Sequence, residues 1–452
     1  MTTGRAGEEA AQVIVVGAGA AGLSAARELC AAGLRVVVLE ARGRVGGRVH
    51  TVSDASSPVA VELGAEFIHG KARELWEVVE RAGLAACDVS ERHWYERGGV
   101  LVKSGEFWQK LEKVFGRMKQ ETRDRPFAEF LKECCDDETA REAATLYVEG
   151  FHAARAERAG TRGLALAEEA SDSVEGDSSF RVLGGYSRVV EWLNVEVGAG
   201  GGRVQLGAAA REVRWSRGRV EVSARHAPGG EETIYKGERA VITLPLGVLR
   251  ATPGKEGAVR FSPELREKLD AARRLEVGHA VRLTLRFRTR FWESLRLRTR
   301  GGGDESLSEL GFLHTFDATV PTWWTQLPLR APLLVGWAGG PRAEAFAGKD
   351  AEFLTAHAVE SLSGALGVSR ARVEAELEAV YTHDWQADPF ARGAYAYLPV
   401  GGLEAQDELA RPVAGTLFFA GEATNSDGHI GTVHGAIATG RRAAAQVVES
   451  MR

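Results

Sequence analysis

Cysteine is scarce in this chain and badly placed for cross-linking. There are four, Cys30, Cys87, Cys134 and Cys135, and they form neither a C-x-x-C pair nor a spaced framework. Two adjacent cysteines suit neither an ordinary disulfide nor a zinc knuckle, so reduced cytoplasmic thiols and no metal are expected. No apolar run approaches the roughly 20 residues needed to span a bilayer. The N-terminus has no basic region followed by an apolar core and a cleavage site. A soluble protein without a membrane anchor is therefore expected. An excess of one charge is missing too. Lysine and arginine number 57 against 62 aspartate and glutamate, a net charge of −5, which offers no global attraction for nucleic acid or anionic lipid. Internal repeats and low-complexity tails are absent. What remains is ordinary globular composition, 44% hydrophobic and 26% charged over 452 residues, too long for one core and suited to two or three domains.

Against this background the stretch Val13 to Arg48 stands out. Val13 to Val16 reads as a buried strand, Gly17-Ala18-Gly19-Ala20-Ala21-Gly22 as a tight turn, and the Ala- and Leu-rich segment up to Gly33 as a helix. Val36 to Leu39 is the next parallel strand, ending on Glu40. Glycine at the turn lets backbone approach a pyrophosphate at the helix N-terminus. A carboxylate some 20 residues on accepts hydrogen bonds from both hydroxyls of an adenosine ribose and argues against a 2′-phosphate. Gly43-Arg44-Val45-Gly46-Gly47-Arg48 adds a second glycine turn with two guanidinium groups, suited to further phosphate and a longer cofactor.

With these residues the chain resembles the flavin-containing amine oxidase family, which includes monoamine oxidases, polyamine oxidases and lysine-specific histone demethylases. The resemblance returns at Leu417-Phe418-Phe419-Ala420-Gly421-Glu422 with Gly431-Thr432-Val433-His434-Gly435, similar to the family's C-terminal flavin signature. Between the ends lie Glu62-Leu63-Gly64-Ala65 with Ile68-His69-Gly70, the stretch Val241 to Leu249, and Ala391 to Tyr397. The resemblance implies FAD. Its expected contacts are Gly17, Gly19, Ala21, Gly22, Glu40, Ala41, Arg42, Arg44, Gly46, Gly47, Arg48, Gly64, Ala65, Glu66, Val213, Trp385, Gly421, Glu422, Gly431, Thr432 and Val433. Ala394 stands where monoamine oxidases carry the cysteine that bonds to the flavin, so the cofactor is expected to be noncovalent.

The implied fold is α/β. A Rossmann-like FAD domain with three layers (β-β-α) is built from residues 1–85, 183–260 and 382–452. It is interleaved with an α+β substrate domain from 86–182 and 261–381. Residues 86 to 180 read as mainly helical, with Phe107, Leu111, Val114, Phe115 and Met118 at helical spacing. The Gly- and Pro-containing stretches at 198–202, 227–230 and 301–303 read as hairpin or surface loops.

Five positions are expected at the chemistry: Arg282, His69, Tyr395, Thr432 and Trp385. His69 lies in a G-A-x-x-I-H-G segment similar to that of polyamine oxidases, where it flanks the substrate channel; a structural histidine fits equally. Tyr395 and Thr432 match positions lining the re face of the flavin, keeping one ring where monoamine oxidases have two; simple packing is the other reading of Tyr395. Trp385 resembles the tryptophan that packs against the ring, while Trp323, Trp324 and Trp337 read as core or cavity wall. Glu422 would hold the ribityl or pyrophosphate portion. Glu168, Glu169, Asp172, Glu175 and Asp177 form either a solvated loop or a negative rim attracting cationic amines.

Arg282 departs from the pattern, since the family carries a lysine there that holds water near flavin N5. Val281, Leu283, Leu285 and Phe287 alternate with Arg282, Thr284 and Arg286. The polar face is either solvated or turned to the flavin, and an arginine there cannot act as a base.

The activity implied is oxidation of a primary or secondary amine by hydride transfer, with oxygen as acceptor, in a cytoplasmic monomer or homodimer. A flavin dehydrogenase or desaturase of a non-amine metabolite and a noncatalytic flavin scaffold are the alternatives.

Overall fold

The computed structural model describes residues 11–316 and 318–452, without the side chains of residues 103, 104, 106 and 107. The N-terminal ten residues and the Phe107 side chain, both used above, lie outside the described residues. Strands Val13–Val16, Val36–Leu39, Arg203–Gln205, Arg239–Ile242 and Leu417–Phe419 form a five-stranded sheet in which every neighbouring pair is parallel. Val13–Val16 and Val36–Leu39 are apolar throughout because both faces are covered, while the edge strand Arg203–Gln205 is polar. Val13, Val15, Val36 and Val38 point to a core shared with helices Ala20–Ala31, Ser187–Ala199 and Val433–Ser450. Ile14, Val16, Val37 and Leu39 point the opposite way, as the period of two requires. There they meet a four-stranded sheet of Glu232–Gly237, Arg219–His226, Ala208–Ser216 and Arg260–Ser262. This is the expected three-layer arrangement.

A second, seven-stranded sheet runs in the order Leu377–Tyr381, Ala280–Phe287, Leu333–Gly339, Thr322–Thr325, Phe312–Thr315, His93–Arg97, Val100–Lys103. Leu283, Leu285, Leu313, Trp323 and Leu334 pack from one face against helix Ala351–Leu366. The other face looks into the cavity described below. Helices Ser104–Lys119, Phe127–Cys134, Glu138–Phe151 and Thr161–Ser173 cap that cavity. Leu111, Val114, Phe115 and Met118 are buried there, as their spacing implies.

Two local expectations fail. The hairpin His93–Arg97 and Val100–Lys103 interrupts the stretch read as helical. The Arg97-Gly98-Gly99 turn allows it, with both glycines at positive φ. Of the acidic run, Glu168, Glu169 and Asp172 lie on the helix Thr161–Ser173 and not in a loop, since Ala and Glu favour helix.

Candidate active site

A cavity of about 1010 Å3 extends from the first glycine turn to the helical cap. At one end, helix Ala20–Ala31 begins at Gly19 without a side-chain cap. Its first N–H groups therefore face the cavity, which suits a phosphate. A Cβ on Gly19 would meet nothing within 4 Å, whereas one on Gly22 would lie 1.9 Å from the Gly17 carbonyl oxygen. Gly19 thus leaves open the space a cofactor needs, and Gly22 lets the helix pack on its own turn. Glu40 accepts from Ala18 N at 2.8 Å and from Arg42 N at 2.9 Å, and borders the cavity with Ala41 and Arg42. Gly17, Ala21, Gly46, Gly47, Gly64, Ala65, Gly421, Gly431, Thr432 and Val433 line it as well. An open cradle at an uncapped helix start, with a ribose-competent carboxylate beside it, fits an extended dinucleotide such as FAD.

Several residues expected at the cofactor also bond within the protein. Arg44 donates to the carbonyls of Val45, Gly47 and Val49 at 3.1, 2.9 and 3.3 Å, so it closes its own turn. Arg48 donates to the Ala394 carbonyl at 2.6 Å and to Glu422 at 2.9 Å. Half-buried guanidinium groups take nearby acceptors, and these are protein atoms. The Glu422 carboxylate also accepts from Gly431 N at 3.0 Å and Ala396 N at 3.3 Å, clamping three segments at the cavity wall. Val213 is fully buried in the core between the five- and four-stranded sheets, and Ala208 to Ala210 of its strand line the cavity. Gly22 lies behind the wall.

At the sheet end Arg282 is 5% exposed and lines the cavity, which removes the solvated-face reading. Its guanidinium pairs with Glu66 and lies 5.3 Å from the Trp324 ring centroid. Arg181 approaches the same carboxylate through two nitrogens at 2.9 and 2.7 Å, and Trp324 Nε1 donates to it at 3.1 Å. Burial pushes the Glu66 carboxyl up, but Arg282 and Arg181 outweigh it and hold it down at about 2. One carboxylate between two guanidinium groups leaves a net positive charge on this wall. Arg282 Nε is buried without a protein partner, a donor still to be matched.

The other expected residues converge on the same region. Trp385 lines the cavity and donates to the Leu63 carbonyl at 2.8 Å. The Tyr395 ring borders the cavity while its hydroxyl donates to the Phe151 carbonyl at 2.7 Å, and burial pushes that hydroxyl up. Thr432 caps the last helix, accepting from Gly435 N at 3.0 Å and donating to the His429 carbonyl at 2.8 Å. His69 lies edge-on to Phe151, 5.4 Å between centroids, and burial lowers it to about 4, so it is neutral. Near the helical cap Glu91, Glu112, Glu168, Asp172 and Asp177 line the cavity, with Lys119 paired to Asp172. Burial and then the neighbouring carboxylates push Asp177 and Glu91 up. Glu175 pairs with Lys71 instead.

Sequence alone did not single out Arg181, His93, Tyr95 or His314. Its one available signal was alternation: His93 and Tyr95 flank Trp94, and His314 follows Leu313, so each polar ring lies on the face opposite the apolar core.

A family model for flavin-containing amine oxidoreductases matches residues 20–448. Lysine-specific histone demethylase 1 homolog 3 of Oryza sativa is 32% identical over 96% of this chain and 54% of its own length. The chain thus spans about half the length of that relative. Polyamine oxidase 3 of the same species is 29% identical, over 95% of this chain and 88% of its own. Among solved structures, a wild-type putrescine oxidase bound to putrescine superposes with a TM-score of 0.79 at 22% identity, over 98% of this chain and 99% of its own. Cyclohexylamine oxidase from Brevibacterium oxydans gives 0.78 at 20% identity, with the same coverage of both chains. These two likenesses speak to the fold. The chain belongs to the flavin-containing amine oxidoreductases.

Proposed function

We propose that the enzyme oxidises a primary or secondary amine carried on an extended chain, polyamine-like or monoamine, using noncovalent FAD and molecular oxygen. The observation that carries this is a single cavity joining the dinucleotide cradle to an aromatic chamber with a carboxylate-lined mouth. In this division, residues 1–85, 183–260 and 382–452 hold the cofactor, and 86–182 and 261–381 hold the substrate. No cysteine stands at Ala394 to form a covalent link. Held by the Gly17–Gly19 turn and Glu40 and bordered by Gly421 and Gly431, FAD would supply two-electron oxidation of the carbon next to the amine nitrogen, with oxygen as the final acceptor and hydrogen peroxide as its product.

The chain supplies the surroundings. The mouth carboxylates draw in an alkylammonium ion. The apolar chamber beyond favours its neutral form, because an unpaired buried charge is costly. Tyr395 and Trp324 confine the carbon chain. The net positive Arg181–Glu66–Arg282 wall favours negative charge developing beside it. The released imine hydrolyses in water to an aldehyde and an amine.

Anaerobic mixing with alkylamines, polyamines and L-amino acids, followed at the flavin's visible band, tests the reading. Extended amines should bleach the band faster than any α-amino acid, and their kcat/KM should fall with salt as exposed carboxylates are screened over about 10 Å. Rapid bleaching by an amino acid with none by amines would refute it. Arg282, where the family carries lysine, favours a second reading, a dehydrogenase or desaturase of a non-amine metabolite; it predicts no bleaching by any amine.

A further inference from the structure

The end of helix Glu138–Phe151 is pinned over the cavity from several directions. A helix leaves its last carbonyls without partners of its own. Here the Gly150 carbonyl accepts from Trp337 Nε1 at 2.9 Å, and the Phe151 carbonyl accepts from the Tyr395 hydroxyl at 2.7 Å. Trp337 stands on the seven-stranded sheet and Tyr395 on the strand Tyr395–Tyr397, so the two donors come from different sheets. The chain then turns through Ala153 at φ 50, a left-handed conformation that glycine usually occupies. Its neighbours make room for the turn. A Cβ on Gly339 would lie 2.5 Å from the Glu149 carbonyl oxygen, and one on Gly278 would lie 2.7 Å from that of Ala153. Backbone strain held in place by its surroundings gathers at functional sites.

What this helix end presents is the ring of Phe151. It is stacked on Tyr147, 5.3 Å between centroids and 12° from parallel, and lies edge-on to His69 at 5.4 Å. All three residues line the cavity, and Phe151 is 47% exposed. The polar atoms around it are already matched. Tyr147 donates to Glu168, one of the mouth carboxylates, at 3.2 Å, and His69 Nδ1 is 3.3 Å from the Ser179 hydroxyl. Through Tyr147 the ring adjoins the mouth, and through Tyr395 its backbone adjoins the reacting end. Phe151 therefore stands between the two, offering a ligand apolar area and no hydrogen bond.

Covering such a ring releases water and favours methylene groups. We infer that Phe151 is a specificity-determining residue whose ring covers the alkyl chain of the substrate between the mouth and the reacting end, with Trp337 and Tyr395 positioning it. The inference deepens the amine-oxidising reading and rests on it. The favoured substrates are amines on an uninterrupted run of methylenes long enough to pass Phe151.

The test is kcat/KM for ethylamine, which is too short to pass the ring, and for octylamine, measured per bound flavin. Wild type, Phe151→Ala, Phe151→Leu and Trp337→Phe are compared. Each covered methylene is worth about fourfold, so wild type should prefer octylamine by more than about tenfold. Phe151→Ala should lower that preference about tenfold, whereas Phe151→Leu, which restores an apolar side chain, should keep most of it. Trp337→Phe removes one bond that holds the helix end and should lower the preference about threefold, chiefly through the KM of octylamine. An unchanged preference in Phe151→Ala, or variants that shift both amines alike, would overturn the role of Phe151 while the amine-oxidising reading stands. If neither amine reduces the flavin on anaerobic mixing, that reading falls and the role of Phe151 falls with it.

Discussion

Replacing Arg282 by methionine should leave a folded, flavin-loaded protein, whereas Glu66→Gln should not. The difference lies in what each change leaves buried. In Arg282→Met the Glu66 carboxylate keeps both Arg181 nitrogens at 2.9 and 2.7 Å and Trp324 Nε1 at 3.1 Å. The unmatched Arg282 Nε also disappears. Loss of one charge-assisted bond, offset by an apolar side chain in an apolar wall, costs about 0–2 kcal/mol. In Glu66→Gln two buried guanidinium groups lose their counter-charge. Arg181 still donates to the carbonyls of Gln326 and Leu327, but Arg282 has no second acceptor among the described residues, and the cost rises to about 3–5 kcal/mol. Thermal midpoints at saturating FAD, with flavin content after gel filtration, should rank wild type above Arg282→Met and both well above Glu66→Gln. In the methionine variant the wall loses its net positive charge, so flavin reduction should slow. Arg282→Lys keeps the charge but not the planar fork and should alter mainly reoxidation. Equal destabilisation by Arg282→Met and Glu66→Gln would refute the account of the cluster. Unchanged half-reaction rates in Arg282→Met would show that the flavin does not feel this charge.

Other consequences are open to measurement. Glu40→Ala should lose FAD on dialysis, since two ribose hydroxyls lose their acceptor at roughly 1–3 kcal/mol; acid precipitation of the wild type should release all colour to the supernatant, and full occupancy or a yellow pellet would contradict the respective role. Gly19→Ala should fold normally yet bind FAD weakly, while Gly22→Ala should lower the stability of the apoprotein itself because its Cβ meets the Gly17 carbonyl oxygen at 1.9 Å; equal apoprotein midpoints would refute this contrast. Burial raises Glu62 to about 7 against the ordinary 4.5, outweighing its bonds from Thr51 and Tyr186 N. A carboxyl raised in the folded state contributes stability that is full below about pH 4.5 and lost as pH rises through 7. Glu62→Gln should flatten that decline, and an unchanged slope between pH 5 and 7 would show that Glu62 is not its source.

How much of this was legible beforehand depended on sequence distance. The glycine turn, its helix and Glu40 lie within one contiguous unit, and the helix-forming stripe from Leu111 to Met118 repeats at a local period. The hairpin of His93–Arg97 and Val100–Lys103 is local, and its Gly98-Gly99 turn is the signal for it; the pairing of His93–Arg97 with Phe312–Thr315, far along the chain, has no local signal. Whether Arg282 met water or a cavity could not be read from alternation, which sorts residues by face but not by what covers each face.

The chain by itself therefore determined the nucleotide-binding unit, the flavin family, and the two faces of each strand, all of which follow from local spacing and backbone preference. Only tertiary structure decided the partners of the buried charges. Glu66 meets Arg181 and Arg282 across 115 and 216 residues, and His93 meets His314 across 221. It also gave Arg44 and Arg48 their protein acceptors and brought Glu112 and Glu168 to one mouth. Packing imposes these matches, because a buried charge or donor must find its counterpart in space wherever along the chain that counterpart lies.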